Sequence, residues 1–381
     1  MKITALDTFL VSPRWLFLRV QTSEGVTGWG EPVVEGRAAT VQQAVAELAD
    51  YLIGADPLRI EHHWQTLMKG GFYRGGPILS SAVAGIDQAL WDIAGKVYGV
   101  PVHQLLGGPV RDAARVYAWI GGDSPGDATE AAHAQVEAGF TAVKMNIPGP
   151  LGAIESPGRM RQVIEPVAAV REVLGDDRDL VVDFHGRVSK PLAKRLLREL
   201  EPLSLLFVEE PILPEFSRDL GELTSATSLP LAVGERLYWR ADFRDVFPTG
   251  VAVVQPDVSH AGGISEVRRI AAMAEAWDVS LAPHCPLGPI SLAASLQLAF
   301  AVPNFLIQEQ SVGIHYNSTA EVVDYLVDAS PFHFTEGMAA LPREPGLGVT
   351  VDEEAVERAA EVGHRWRNPV CAHADGSFAE W

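Results

Sequence analysis

Apolar and polar positions follow two rhythms, and the switch between them divides the chain. Near the start, the runs Leu16-Phe17-Leu18-Arg19-Val20-Gln21-Thr22 and Val26-Thr27-Gly28-Trp29-Gly30 flank a Ser23-Glu24-Gly25 turn, which predicts an antiparallel hairpin. Helical spacing follows over 40–52 and 78–98. In the second stretch Ala82, Ile86, Ala89, Leu90 and Ile93 fall on one apolar face. From about Val116 the rhythm becomes short apolar runs, at 116–119, 142–145, 180–184, 205–208, 231–233, 251–255, 279–282 and 305–307. Amphipathic segments such as 190–200 and 265–277 lie between them. Eight β-then-α units predict parallel strands with helical crossovers, and a closed barrel is the economical way to bury them. An open doubly wound sheet is the rival, but no G-x-G-x-x-G follows a strand and no G-x-x-x-x-G-K-[ST] occurs. Beyond Asn317 the repeat is lost, and Pro342, Pro345-Gly346-Leu347-Gly348 and Trp366-Arg367-Asn368-Pro369 predict a tail returning to the first, mixed domain. The expected division is 1–115, 116–317 and 318–381.

The ionisable residues that interrupt the strands fall at their ends. Asp183 and His185 end the third, Glu209 and Glu210 the fourth, Glu235 the fifth, Asp257 the sixth, His284 the seventh and Glu309 the eighth. From Asp183 to Glu309 the successive intervals are 26, 26, 22, 27 and 25 residues, one per repeat. In a parallel barrel these positions converge on the C-terminal face, where such enzymes place their sites. One such residue is ordinarily a cap or an ion-pair partner. Six in succession are not explained that way.

Asp183, Glu209 and Glu235 on adjacent strand ends would repel one another unless they enclosed a cation. An all-oxygen set favours Mg²⁺ over zinc. Glu209 and Glu210 face opposite sides of a strand, so only one can be a ligand. Strand alternation places His185 on the face of Asp183, beside the expected metal. Asp257, one repeat before His284, can orient that imidazole and raise its basicity, as a general base requires. Lys144 and Asn146 share a face at the end of the second strand. The lysine either neutralises a substrate carboxylate or its enolate, or pairs with a barrel carboxylate. The segment 70–77, rich in glycine and aromatics, is compatible with a mobile loop over the site or with an ordinary surface connection. Gly262-Gly263 reads better as a helix-entry turn than as a phosphate loop. His62, His63, His103, His133, His260, His315, His364 and His373 are expected to be structural.

Composition narrows the partners. The chain has 381 residues, 47% of them hydrophobic, and carries 30 Lys and Arg against 49 Asp and Glu, a net charge of −19. That balance argues against nucleic acid and anionic membrane surfaces as partners. A small anionic substrate remains open, because a bound cation can reverse the local field. Two cysteines exclude a disulfide framework and fit a reducing compartment; with no signal pattern and no membrane span, a cytoplasmic location is expected.

Together these residues and the strings PRWLFLRV, GWGEPVVEGRA, GFYRGGPIL, AGIDQALWDI, DFHGRVS, QPDVSHAGGI, APHCPLGPI and QEQSVGIHYN resemble the enolase superfamily, mandelate racemase subgroup. Within it they are most similar to the sugar-acid dehydratases that act on galactonate, and RWRNP with the terminal Glu380-Trp381 also fits. The resemblance implies a modified (β/α)8-type barrel under an α+β N-terminal capping domain completed by the C-terminal tail. It implies a Mg²⁺ cofactor, a sugar-acid substrate whose carboxylate and 2-hydroxyl meet the metal, and a homo-oligomer. A histidine base beside Mg²⁺ is a known pattern of such sites. His284 would remove the C2 proton, Asp257 would support it, His185 would protonate the departing 3-hydroxyl, and Glu309 would stabilise the enolate-like intermediate. Racemases of the subgroup often carry a second lysine two residues after the first; here that position is Asn146, which favours dehydration. The segment 147–158 departs from the dehydratase pattern and is expected to border the sugar site. Dehydration of another aldonate, such as gluconate or a six-deoxy acid, is the alternative. A non-catalytic sugar-acid-binding barrel would have no need of the general acid.

Overall fold

The computed structural model describes residues 1–122, 124–314, 317 and 319–380. His315, Trp381 and the boundary at 318, which figure in the expectations above, lie outside them. The chain opens with an antiparallel meander of β1 (Ile3–Val11), β2 (Trp15–Thr22) and β3 (Thr27–Gly30). Helices α1 (Ala38–Ala49), α2 (Ile60–Lys69), α3 (Pro77–Tyr98) and the short α4 (Val102–Leu105) follow. The predicted apolar face of α3 lies against this sheet. Gly28 and Gly30 permit the approach, because a Cβ on either would run into the carbonyl oxygens of Ala89 and Gly85.

After β4 (Ala113–Arg115) the chain winds through β5 (Ala118–Ile120), α5 (Pro125–Glu137), β6 (Ala142–Asn146), α6 (Pro157–Leu174), β7 (Asp179–Asp183) and α7 (Lys190–Leu200). It continues through β8 (Phe207–Glu209), α8 (Leu220–Thr224), β9 (Leu231–Val233), α9 (Arg240–Phe243), β10 (Val253–Val254), α10 (Gly263–Glu275), β11 (Ser280–Leu281) and α11 (Pro289–Ala301). Strands β5 to β11 lie in sequence order in one parallel sheet. The segment 305–308 closes it, with parallel bridges from Phe305 to Leu281 and from Gln308 to Val116. The eighth β-then-α unit has its strand, but among the described residues no α-helix follows it directly, and the next helical element is a 3₁₀ turn, Val322–Tyr325. Val322, Tyr325 and Phe332 of the tail join the apolar core outside the barrel.

The barrel interior explains the polar strand ends. One inward layer is apolar and takes a residue from, or directly beside, each barrel strand: Tyr117, Ala142, Val181, Phe207, Ala232, Val253, Ala282 and Ile307. Two residues further along, strand alternation delivers Trp119, Lys144, Asp183, Glu209, His284 and Glu309 to the next layer. Glu235 comes three residues after Ala232, the extra step being Gly234 at φ 141°.

The tail runs back across both parts. Strand β12 (Met338–Ala340) pairs antiparallel with β4. Helix α12 (Glu353–Val362) packs on β1 and offers Glu353 and Glu357 to Arg19, at 2.8 and 3.2 Å. Tyr325 donates to the Ser12 carbonyl at 2.8 Å, and the Leu347 amide to Asp92 on α3 at 2.9 Å.

Candidate active site

Closure of the barrel draws all nine expected residues to one mouth. A cavity of about 730 Å³ opens there, walled by Lys144, Asn146, His185, Glu235, His284 and Glu309. Asp183, Glu209 and Asp257 lie behind them, fully buried. Neighbouring strands set the spacing: Asn146 is level with Asp183, and Asp183 with Glu209.

Asp183, Glu209 and Glu235 each offer a carboxylate oxygen, and these atoms lie within 4.8 Å of one another. Burial opposes ionisation of the first two. At Asp183 the nearby His185 and Lys144 outweigh it and hold the carboxyl low, whereas at Glu209 burial and the charge of Asp183 prevail and hold it well above the usual range. Glu209 Oε2 is buried without a hydrogen bond among the described residues. An unpaired buried carboxylate oxygen facing two more carboxylates is costly, and a hard divalent cation removes that cost, so the donor set fits one. Glu210 faces away and pairs with Arg236 at 2.7 Å, so alternation selects Glu209 for the mouth.

Lys144 is the resident positive charge. Its ammonium donates to Glu209, lies 2.9 Å from Glu309 Oε1 and 3.2 Å from Asp183 Oδ2, and sits 5.5 Å from the centre of the Trp119 ring. Burial alone would lower its pKa; Glu209 and Glu309 raise it well above the usual lysine value. Of the two readings the sequence left open, the pairing with barrel carboxylates is present, and the amine also reaches the cavity wall. Asn146 Oδ1 is buried and without a hydrogen bond among the described residues.

His284 Nδ1 lies 2.8 Å from Asp257 Oδ2, and its Nε2 lies 3.4 Å from Glu235 and 3.9 Å from Glu309. Burial works against the imidazolium, but Glu309, Glu235 and Asp257 hold the His284 pKa well above the usual histidine value. Asp257 accepts the Ser259 amide at 2.6 Å through its other oxygen. Burial would raise its pKa, and His260 and His284 bring it below the usual value instead. Glu309 accepts from Trp119 Nε1 at 2.9 Å and from the Cys285 amide at 2.8 Å.

Across the mouth, His185 Nε2 lies 3.1 Å from Asp183 Oδ2. Alternation is not what brings it there. β7 ends at Asp183, and His185 adopts a left-handed conformation, φ 50°, with its amide donating to Asp183 Oδ1 at 2.7 Å. The segment 147–158 contributes no residue to the cavity wall. Its Ile147 and Ala153 carbonyls are instead gripped by Arg187 and Ser189, just past His185. Of the segment 70–77 only Pro77 lines the cavity, while Phe72 and Tyr73 are almost wholly exposed. Gly262 is the N-cap of α10, as the helix-entry reading expects.

The wall also holds residues that the sequence does not assign to the site. Trp119 shares the parity of Lys144 one strand away, a signal that was available. Arg14, Val34 and Glu35 come from the first domain, and Trp366, Arg367, Asn368 and Pro369 from the tail; nothing local marks them. His260, expected to be structural, also faces the cavity.

Comparison with known proteins agrees with this geometry. Residues 4–107 match the mandelate racemase / muconate lactonizing enzyme N-terminal domain, and residues 127–355 match the enolase C-terminal domain-like family. The chain is 55% identical over 383 residues to a D-galactonate dehydratase of Xanthomonas axonopodis pv. citri, and 54% identical over 382 residues to one of Ralstonia pickettii. Both alignments cover 100% of each chain. Among solved structures, an enolase from Agrobacterium radiobacter superposes with a TM-score of 0.91 at 32% identity, covering 100% of both chains. A mandelate racemase/muconate lactonizing enzyme from Jannaschia sp. CCS1 superposes with a TM-score of 0.87 at 31% identity, covering 97% of this chain and 100% of that one. With both of its family domains matched and its barrel mouth carrying the expected acidic group, the chain belongs to the enolase superfamily, in its mandelate racemase branch.

Proposed function

We propose that the protein dehydrates D-galactonate to 2-dehydro-3-deoxy-D-galactonate, with Mg²⁺ held by Asp183, Glu209 and Glu235. The observation that carries this is the placement of the two imidazoles. β7 and β11 are separated by three strands on either side of the closed barrel, so His185 and His284 face each other across the cavity. The acidic trio spans the same mouth. With Nδ1 held by Asp257, His284 presents Nε2 to the cavity; a cation on Glu235 would offset part of the negative charge that keeps the ring protonated, and the neutral imidazole then takes the proton from C2. The electron pair left on C2 forms the C2–C3 double bond as the C3–oxygen bond breaks. His185 gives its proton to the departing hydroxide, so water leaves and the enol becomes the 2-keto acid. The cation, when bound, supplies positive charge against the negative charge that develops on the substrate carboxylate. β6 offers no opposing base: Lys144 is committed to three carboxylates and Asn146 is an amide, so elimination is favoured over racemisation. Lys144 lies at the cavity wall and stabilises the negative charge that develops, whereas Glu309 joins it only as a protonated carboxyl that donates to the substrate. The full-length likeness to the D-galactonate dehydratases of Xanthomonas and Ralstonia supports galactonate among the aldonates.

The test is a stereochemical library of sugar acids with Mg²⁺, read for 2-keto-3-deoxy products. Product from galactonate is expected. Turnover of gluconate or a six-deoxy acid in its place would move the substrate, and no product from any acid would overturn the reading. The same proposal includes a homo-oligomer, to be checked by sedimentation, and a cytoplasmic site of action. The two cysteines, Cys285 and Cys371, are free, and among the described residues no helix is long and apolar enough to cross a membrane.

A further inference from the structure

The turn after β10, from Asp257 to Gly262, is gripped from outside the barrel. Trp64 on α2 donates to the Gly262 carbonyl at 2.8 Å. On α3, Gln88 donates to the Val258 carbonyl at 3.1 Å, and Ser80 to the His260 carbonyl at 2.6 Å. The next residue on α3, Ser81, places its hydroxyl 3.1 Å from His260 Nδ1. His260 lines the cavity, and Ser81 leaves its other ring nitrogen, Nε2, unoccupied by that contact. Nε2 lies 3.9 Å from Asp257 Oδ2, beyond hydrogen-bond reach, and that oxygen is already held by His284. The centres of the His260 and His284 rings stand 6.5 Å apart, so a substrate that meets His284 passes close to His260.

We propose that His260 is a substrate-binding residue. Its Nε2–H donates to an oxygen of the sugar acid, and Ser81, donating to Nδ1, fixes both the ring's pose and the tautomer that makes Nε2 the donor. The capping domain thereby sets a substrate contact without touching substrate through Ser81 itself. This rests on the sugar-acid reading above.

Binding is measured by calorimetry in a His284→Asn background, with Mg²⁺ present, so that galactonate binds without turning over. His260→Leu should weaken galactonate binding about five- to tenfold, the loss of one neutral hydrogen bond. His260→Gln, which keeps a donor near the place of Nε2, should recover most of that. Ser81→Ala should weaken binding by about twofold to threefold and add nothing in the His260→Leu protein, the signature of two groups acting as one. Mg²⁺ affinity without sugar should be unchanged throughout. Galactonate affinity unmoved by His260→Leu, or a His260→Gln variant no better than His260→Leu, overturns the inference and leaves the function standing. If the His284→Asn protein binds no sugar acid at all, the function reading falls and this inference with it.

Discussion

At the end of β11 the His284 ring is held through Nδ1 by Asp257 at 2.8 Å, whereas at the end of β7 the His185 ring meets Asp183 through Nε2 at 3.1 Å. The first arrangement is anchored deep. Asp257 accepts from the Ser259 amide, Ser259 Oγ donates to Ser291 Oγ at 3.0 Å, and the Ser291 amide donates to Glu31 of the first domain at 2.9 Å. Gln88 on α3 joins at Ser259 Oγ, also 3.0 Å, and every member of this chain is buried. The second arrangement stands on a left-handed turn and leans on a carboxylate of the acidic trio. A base needs one tautomer and one direction, and a rigid buried chain provides both. On the proposed function, Asp183 both partners the acid and would help to hold the cation, so the two roles meet at one residue.

The largest effect should come from removing what both sides share. EDTA should abolish turnover and Mg²⁺ restore it; full activity in thoroughly metal-stripped protein would remove the trio from the mechanism. His284→Asn should cost on the order of 10⁴-fold in turnover and also abolish exchange of the C2 proton with D₂O, followed by proton NMR. His185→Asn should lower dehydration by about 10²- to 10⁴-fold while C2 exchange remains detectable, since the base side is untouched. Exchange that survives in His284→Asn but vanishes in His185→Asn would reverse the two sides. Asp257→Asn should reduce turnover by about 10²-fold with Mg²⁺ affinity nearly unchanged; loss of Mg²⁺ binding would make Asp257 a ligand instead of a support.

The smallest effect concerns the far end of the anchor. Burial, opposed by the Ser291 and Gly288 amides, pushes the Glu31 pKa up to about 8. A carboxyl raised in the folded state contributes stability that is fully present below its unfolded value of 4.5 and is lost as pH rises through about 8. The unaltered protein should therefore lose on the order of a few kcal/mol between pH 5 and 9 relative to Glu31→Gln, measured by urea denaturation. Parallel stability curves for the two proteins would show that Glu31 folds ionised.

Much of this was legible because strands repeat. A period of two within each strand and roughly 25 residues between strands locate an inward layer from the sequence alone, which is why Asp183, Glu209, His284 and Glu309 fall together. Helix α7 begins and ends where its apolar spacing does, behind the Ser189 N-cap. What was not legible depends on backbone exceptions and distant packing. Gly234 shifts Glu235 by one residue, and the positive φ at His185 replaces the strand that alternation assumed. Ser81 and Glu31 read as ordinary residues of a helix and a turn until α3 and β3 dock on the barrel. His260 is separated from His284 by a full repeat, and only the parallel neighbourhood of β10 and β11 makes them adjacent.

The placement of Trp366–Pro369 in the cavity wall also has a bearing on the order of events at the ribosome. Translation delivers these residues after every barrel strand, so a nascent chain can fold its barrel and assemble the carboxylates while one side of the pocket is still unbuilt. Close by, His364 hydrogen-bonds to the Trp15 carbonyl at 3.0 Å, joining the start of the molecule to a segment made nearly 350 residues later. On the proposed function, a chain stalled after the barrel would hold the three carboxylates without a finished cavity wall.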